Sequence, residues 1–112
     1  MKQPILNTQI RLEAPVYAED GAGGTSESWD ELGTLWGAIG NARARETLEN
    51  GVSVSKATFA VTVRSAPQGA PSRPTERQRF KLGDRILRII AVTEADGFGK
   101  YLTCLVSEEV SV

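Results

Sequence analysis

The sequence predicts an all-β fold, a small antiparallel β-barrel or sandwich of about six strands with one short helix or long loop inserted. Three observations carry that prediction. Apolar and polar side chains alternate in several short runs, glycine and proline clusters separate the runs, and the only stretch of helical character has almost no apolar stripe. With 112 residues, 40% apolar and 24% charged, the chain has the size and composition of one domain spanning 1–112 around a single modest core.

Residues 9–17 set Ile10, Leu12, Ala14 and Val16 against Gln9, Arg11 and Glu13, the period of a half-buried strand, and Pro15 places it at a sheet edge. Residues 18–25, with three glycines and two acids, read as a turn. Short strands are expected at 26–30 and 35–39, separated by Glu31-Leu32-Gly33. They carry both tryptophans, Trp29 and Trp36, each expected to cover one face of the sheet; the other reading of such a pair is a stacking platform.

Residues 40–51 have helical character: Asn41 suits an N-cap, the interior is rich in Ala, Arg, Glu and Leu, and Asn50-Gly51 suits a stop. Leu48 is its one sizeable apolar side chain, so the expectation is a marginal helix in a mobile excursion that continues through 52–56. Residues 57–65 then alternate Phe59, Val61 and Val63 against Thr58, Ala60, Thr62 and Arg64, a strand. Three prolines make residues 66–75 a loop.

Residues 78–82 and 85–93 flank Gly83-Asp84, a two-residue hairpin connection. The run 86–92 is apolar on both faces and is expected at the centre of the sheet. A turn at 96–99 leads to a last strand at 101–106, with Leu102, Cys104 and Val106 opposed to Tyr101, Thr103 and Leu105, and 107–112 reads as a polar tail. The expected core is Trp29, Trp36, Phe59, Val61, Val63, Ile86, Ile89, Ile90, Val92, Leu102 and Cys104.

The chain has no histidine, which removes the usual general base and the commonest transition-metal ligand. Gly21 to Gly24 is followed by no Lys-Ser/Thr pair and opens no helix, so it is not a phosphate cradle. The acids Glu19, Asp20, Asp30 and Glu31 match no EF-hand spacing and read as turn residues. Lone Cys104 has neither a histidine to activate it nor a disulfide partner, which suits a reducing compartment. No catalytic, metal or cofactor residues are therefore assigned. The start of the chain shows no apolar run of signal-peptide or membrane-span length, so synthesis in the cytoplasm and no membrane association are expected.

Charge is uneven: residues 1–60 hold five bases and eight acids, residues 61–112 eight bases and six acids. A basic run, Arg64, Arg73, Arg77, Arg79, Lys81, Arg85 and Arg88, is interrupted only by Glu76 and Asp84. It suits contact with phosphates or with acidic patches of a neighbouring protein, or it is simply a solvated face.

The succession of motifs is familiar: a strand with Ile10 and Leu12, a turn with Asp20, Gly23 and Gly24, Trp29, then Leu35-Trp36-Gly37-Ala38, Ala44-Arg45-Glu46, Val61 with Val63-Arg64, a stretch from Arg79 to Ile89, and Leu102 with Cys104. Over nearly its whole length it resembles the phage head-tail joining proteins, the head-closure or stopper subunits of tailed phages and gene transfer agents. It departs from that family at Gly40-Asn41, where a larger apolar residue or proline is usual, and in its proline-rich loop 66–75.

The resemblance implies a structural connector that forms a homo-oligomeric ring, sixfold or twelvefold. That ring would lie between portal or adaptor proteins and the tail terminator or tail tube, closing the channel of packaged DNA. It also implies that residues 40–56 project into the channel, with Asn41, Arg43, Arg45, Glu46, Glu49 and Lys56 as candidate contacts. The protein would pass from the host cytoplasm during assembly into the particle. An OB-like nucleic-acid-binding barrel, using the basic run with Trp29 and Phe98, is the competing reading.

Overall fold

Seven strands and no helix form within residues 4–110, the residues that the computed structural model describes. They are β1 (Thr8–Glu19), β2 (Thr25–Ile39), β3 (Arg43–Glu49), β4 (Val52–Arg64), β5 (Arg79–Leu82), β6 (Arg85–Glu94) and β7 (Tyr101–Val110). The order is β2-β1-β5-β6-β7-β4-β3, every pairing is antiparallel, and a further β2–β4 pairing closes the hydrogen-bonded circuit through six strands. Closure satisfies backbone groups that an open sheet would leave on its edges. Only β3 lies outside the circuit, on one edge of β4.

The interior is filled by the alternate residues that period 2 selects. Ile10 and Leu12, Phe59, Val61 and Val63, Phe80, Leu87 and Ile89, and Leu102, Cys104 and Val106 form one buried cluster, with Leu32, Leu35, Ile39, Leu82 and Val92 packed against it. Gly37 belongs to this interior for a steric reason. A Cβ there would sit 3.1 Å from Ile10 Cδ1 and 3.3 Å from Val61 Cγ1.

Several expected core positions lie elsewhere. Leu35, Gly37 and Ile39 take the inner face of β2, so Trp36 points outward and is 53% exposed. Trp29 is half-buried outside the cluster, under Arg79. In β6 the pairing shifts between Ile89↔Val106 and Ala91↔Leu105, which leaves Ile90 as a bulged residue, 47% exposed. The bulge explains the run's apolar look on both faces: Leu87 and Ile89 point inward before it and Val92 after it. Ile86, paired with Lys81, is half-buried outside the cluster, and the fully buried neighbour is Leu87.

The helix expected at 40–51 is strand and turn. Glu49 pairs with Val52 across Asn50-Gly51, whose φ values of 51° and 78° are the two positive values that a type I′ hairpin turn requires. The same dipeptide that ends a helix well closes a hairpin better, and β4 supplies the partner that helix propensity ignores. Gly83, with φ 60°, opens the β5–β6 turn between Leu82 and Arg85. The polar tail expected at 107–112 is ladder as far as Val110, which pairs with Ser55, while 111 and 112 lie outside the described residues.

Candidate functional site

Two hairpins leave the closed sheet at opposite ends of β4. Residues 37–39 of β2 lie against 61–63 of β4, and the earlier part of β2 runs on past the end of β4 with β1 as its only partner. There, pairs from Ala14↔Asp30 to Glu19↔Thr25 form an arm roughly 20 Å long at the usual strand rise. Its tip is tied by Asp20, whose carboxylate Oδ1 accepts from the Ala22 amide at 2.8 Å and the Gly24 amide at 3.1 Å. At the other end β3 lies against residues 52–58 of β4, and the tip of that β3–β4 hairpin reaches past the end of β7.

The arm is acidic. Between residues 12 and 42 stand Glu13, Glu19, Asp20, Glu27, Asp30 and Glu31, and no lysine or arginine. Three of these acids are committed within the chain: Asp20 to its turn, Glu13 to the Arg79 guanidinium at 2.7 Å, and Glu27 to the Tyr17 hydroxyl, a bond that raises the Tyr17 pKa above its ordinary value. Glu19, Asp30 and Glu31 are exposed.

The outer face of the closed sheet is basic, in a way the linear sequence hides. Strand registers place Glu13, Arg79, Arg88, Ser107, Thr58 and Arg43 in one cross-strand row. Arg79 is directly opposite Arg88, Arg11 opposite Lys81, and Arg45 opposite Lys56. Like charges set directly across a ladder are unfavourable. Carboxylates relieve some of them: Glu13 pairs with Arg79, and Glu49 pairs with Lys56. Glu46 is bonded to Ser53 instead, so both acids of the β3–β4 hairpin are engaged while Arg43 and Arg45 lie exposed beside them.

Of the basic run from 64 to 88, the fold gathers Arg79, Lys81 and Arg88 on that outer face and disperses the rest. Arg85 binds Glu108 through two bonds of 2.7 and 2.9 Å, which raise the arginine pKa and hold the Glu108 carboxyl below the usual range. Arg73 donates to the Ala66 carbonyl at 2.9 Å, and Arg64 lies 5.8 Å from the Tyr101 ring centre. Arg64, Arg73, Lys100 and Tyr101 line one open hollow. Arg77, with φ 76°, is exposed in the approach to β5. Among the candidates at 40–56, Asn41, Arg43, Arg45 and Glu46 are exposed, and Glu49 and Lys56 are half-buried.

Exposed apolar side chains mark the extremities. Leu48, 77% exposed, and Val52 flank the β3–β4 turn, and Phe98, 84% exposed, tips the β6–β7 turn. Leu48, expected as the sparse apolar face of a helix, stands instead at a hairpin tip, for which the Asn-Gly pair beside it is the sequence signal. The arm is invisible in the linear sequence because its acids are scattered over two strands that only pairing brings together. Among the described residues no group of three or more His, Cys, Asp or Glu side chains gathers to hold a metal ion. Among the same residues no helix is long and apolar enough to cross a membrane.

Comparison with known proteins gives two findings. Residues 1–109 match the family described as phage head completion protein. Among solved structures, a chain of the virion of a native gene transfer agent (GTA) particle is 40% identical and superposes with a TM-score of 0.87, covering 98% of this chain and 100% of that one. No curated protein matches.

Proposed function

From the premise that this chain belongs to the phage head completion proteins, we propose that it is a head-tail connector subunit acting as a ring between head and tail. The connector role is structural, and the observation that carries it is likeness to a component of an assembled particle over 98% of this chain and 100% of that one. A gene transfer agent is a phage-like particle, so either kind of particle suits this subunit. The proposed neighbours are portal or adaptor proteins on one side and a tail terminator or tail tube on the other, with packaged DNA in the channel. The subunit would be made in the host cytoplasm and end in the particle.

The geometry supports this reading in two ways. Closure through six strands gives a body whose backbone is satisfied, so the projecting hairpins are the parts available to neighbours. The β3–β4 tip, with Leu48 and Val52 exposed around a two-residue turn, is the segment proposed to close the channel, replacing the mobile loop expected there. Heads made without this chain should fill, then leak their DNA, and should carry no tails. Normal tailed particles in its absence overturn the proposal.

A second reading, single-strand nucleic-acid binding, is favoured by one observation: Trp36 is outward and lines a hollow with Leu6, Thr34 and Arg64. It requires tryptophan quenching by single-stranded DNA that weakens steeply with salt. Unchanged fluorescence at low salt eliminates it.

A further inference from the structure

Among the described residues, two groups of like charges stand beyond opposite ends of β4. At one end Glu19 and Glu31 stand on one face of the β1–β2 arm, with Glu27 between them and Asp30 on the opposite face. At the other, Arg43 and Arg45 stand on one face of β3, Arg43 in the same cross-strand row as Arg88 and Arg45 directly opposite Lys56. Within a single copy the two sets extend from opposite ends of β4.

Given the ring reading above, on which this inference rests, we propose that the acidic arm of one copy seats on the Arg43–Arg45 face of the next. The occupant of that basic face is therefore a second copy of this chain. Four observations point to it. First, the chain contains a matching set of carboxylates with no lysine or arginine in its own stretch. Second, the spacing fits: Arg43 and Arg45 are two residues apart on one strand face, about 7 Å, and Glu19 and Glu27 are diagonal neighbours across the arm, within the same distance range; Glu27 keeps its charge and further lone pairs while it accepts from the Tyr17 hydroxyl. Third, the Arg45–Lys56 opposition leaves one positive charge more than Glu49 relieves, which a neighbour's carboxylate would offset. Fourth, the arm's β2 has an unpaired edge along its outer part, and β3 has one along its length, so side chains and backbone are both available.

Because the two surfaces are different patches, the contact is heterologous, and a rotation that closes it gives a ring rather than a dimer. It also divides the β3–β4 hairpin. Its base, with Arg43 and Arg45, is held by the neighbour, and its apolar tip is left free for the channel.

The test uses the full chain as the only head completion protein of a particle-producing cell, with junctions imaged and tailed particles counted. The double variant R43E/R45E and, separately, E19K/E27K should each yield at least tenfold fewer tailed particles while the purified chains keep the native unfolding temperature. The chain carrying all four changes should recover most of the loss, because the charges are exchanged and the complementarity is restored. If R43E/R45E forms normal junctions but particles leak DNA, that face meets nucleic acid and the proposal is overturned. Failure of the four-fold variant to recover, with each chain folded, overturns it equally. Junctions of the native chain that show no ring would instead remove the ring reading itself, a separate result visible in the same images.

Discussion

The guanidinium carbon of Arg79 lies 3.9 Å over the ring of Trp29, while its Nε donates to Glu13 at 2.7 Å. One arginine on β5 thus grips both strands of the arm where it leaves the closed sheet, Glu13 from β1 by charge and Trp29 from β2 by its π-face. Both members of the ion pair are largely shielded from water. Removing Arg79 alone leaves a shielded carboxylate without a counter-charge, at a cost of about 3 kcal/mol. Arg79→Ala should therefore lower the urea midpoint strongly, and Arg79→Met combined with Glu13→Gln should recover most of the loss. Equal losses for the single and the double variant would show that the pair is not coupled.

The two tryptophans should behave differently. Trp36→Ala removes a mostly solvent-facing side chain and is expected to cost less than about 1 kcal/mol, whereas Phe80→Ala opens the middle of the core and should cost about 3–5 kcal/mol. Acrylamide should quench the fluorescence of the Trp29→Phe protein, which reports Trp36, more than that of the Trp36→Phe protein.

Gly51 occupies a left-handed backbone position with open space around its missing Cβ, so a substitution is penalised by conformation rather than by clash. Gly51→Ala should weaken the hairpin by about 1–2 kcal/mol. Hydrogen exchange localises the effect: the amides of 43–54 should exchange faster, and those of β5 and β6 should not change.

Two groups give opposite pH signatures. The Glu108 carboxyl is held low chiefly by its hydrogen bond from Arg85, so its folded pKa lies below the unfolded one. Its stabilisation is full above the usual glutamate range and is lost as pH falls through the folded value. Because Arg85 is half exposed, the loss is about 0.5–1 kcal/mol. Cys104 runs the other way: burial pushes its thiol up to about 12, so unfolding releases a proton between the ordinary cysteine value and that pH, and stability falls over that alkaline span. At neutral pH the folded thiol should resist a disulfide reagent and react at once in denaturant. Acid titration of Arg85→Met should show a low-pH loss smaller than the native chain's by about 0.5–1 kcal/mol.

What the sequence made legible was alternation backed by an unambiguous turn. Residues 57–64 and 101–106 show their inner faces directly, and Gly83-Asp84 joins two strands as its chemistry dictates. What stayed hidden depends on single extra residues. Ile90 in β6 and Leu32 in β2 are each inserted against a regular partner strand, and each reverses which later side chains face inward. Segment 43–49 misled for a different reason. Its composition favours a helix in isolation, and only the neighbouring strand, β4, decides otherwise. The arm and the basic rows were unreadable because they exist only across strands.

The passage from β2 to β3 along the edge of β4 has a consequence for how one strip of chain is used. Ile39 pairs with Val61 and Arg43 with Thr58, so four steps on one side meet three on the other, and the close approach of Gly40 to the Ala60 carbonyl marks the place. Before that joint odd-numbered residues line the interior, as Leu35, Gly37 and Ile39 do; after it they are the outward Arg43 and Arg45. A regular ladder would have turned the arginines toward the oily middle and presented Ala44, Glu46 and Leu48 to the outside. A single out-of-step residue thus inverts the parity of the strip, so that filler at one end becomes signage at the other.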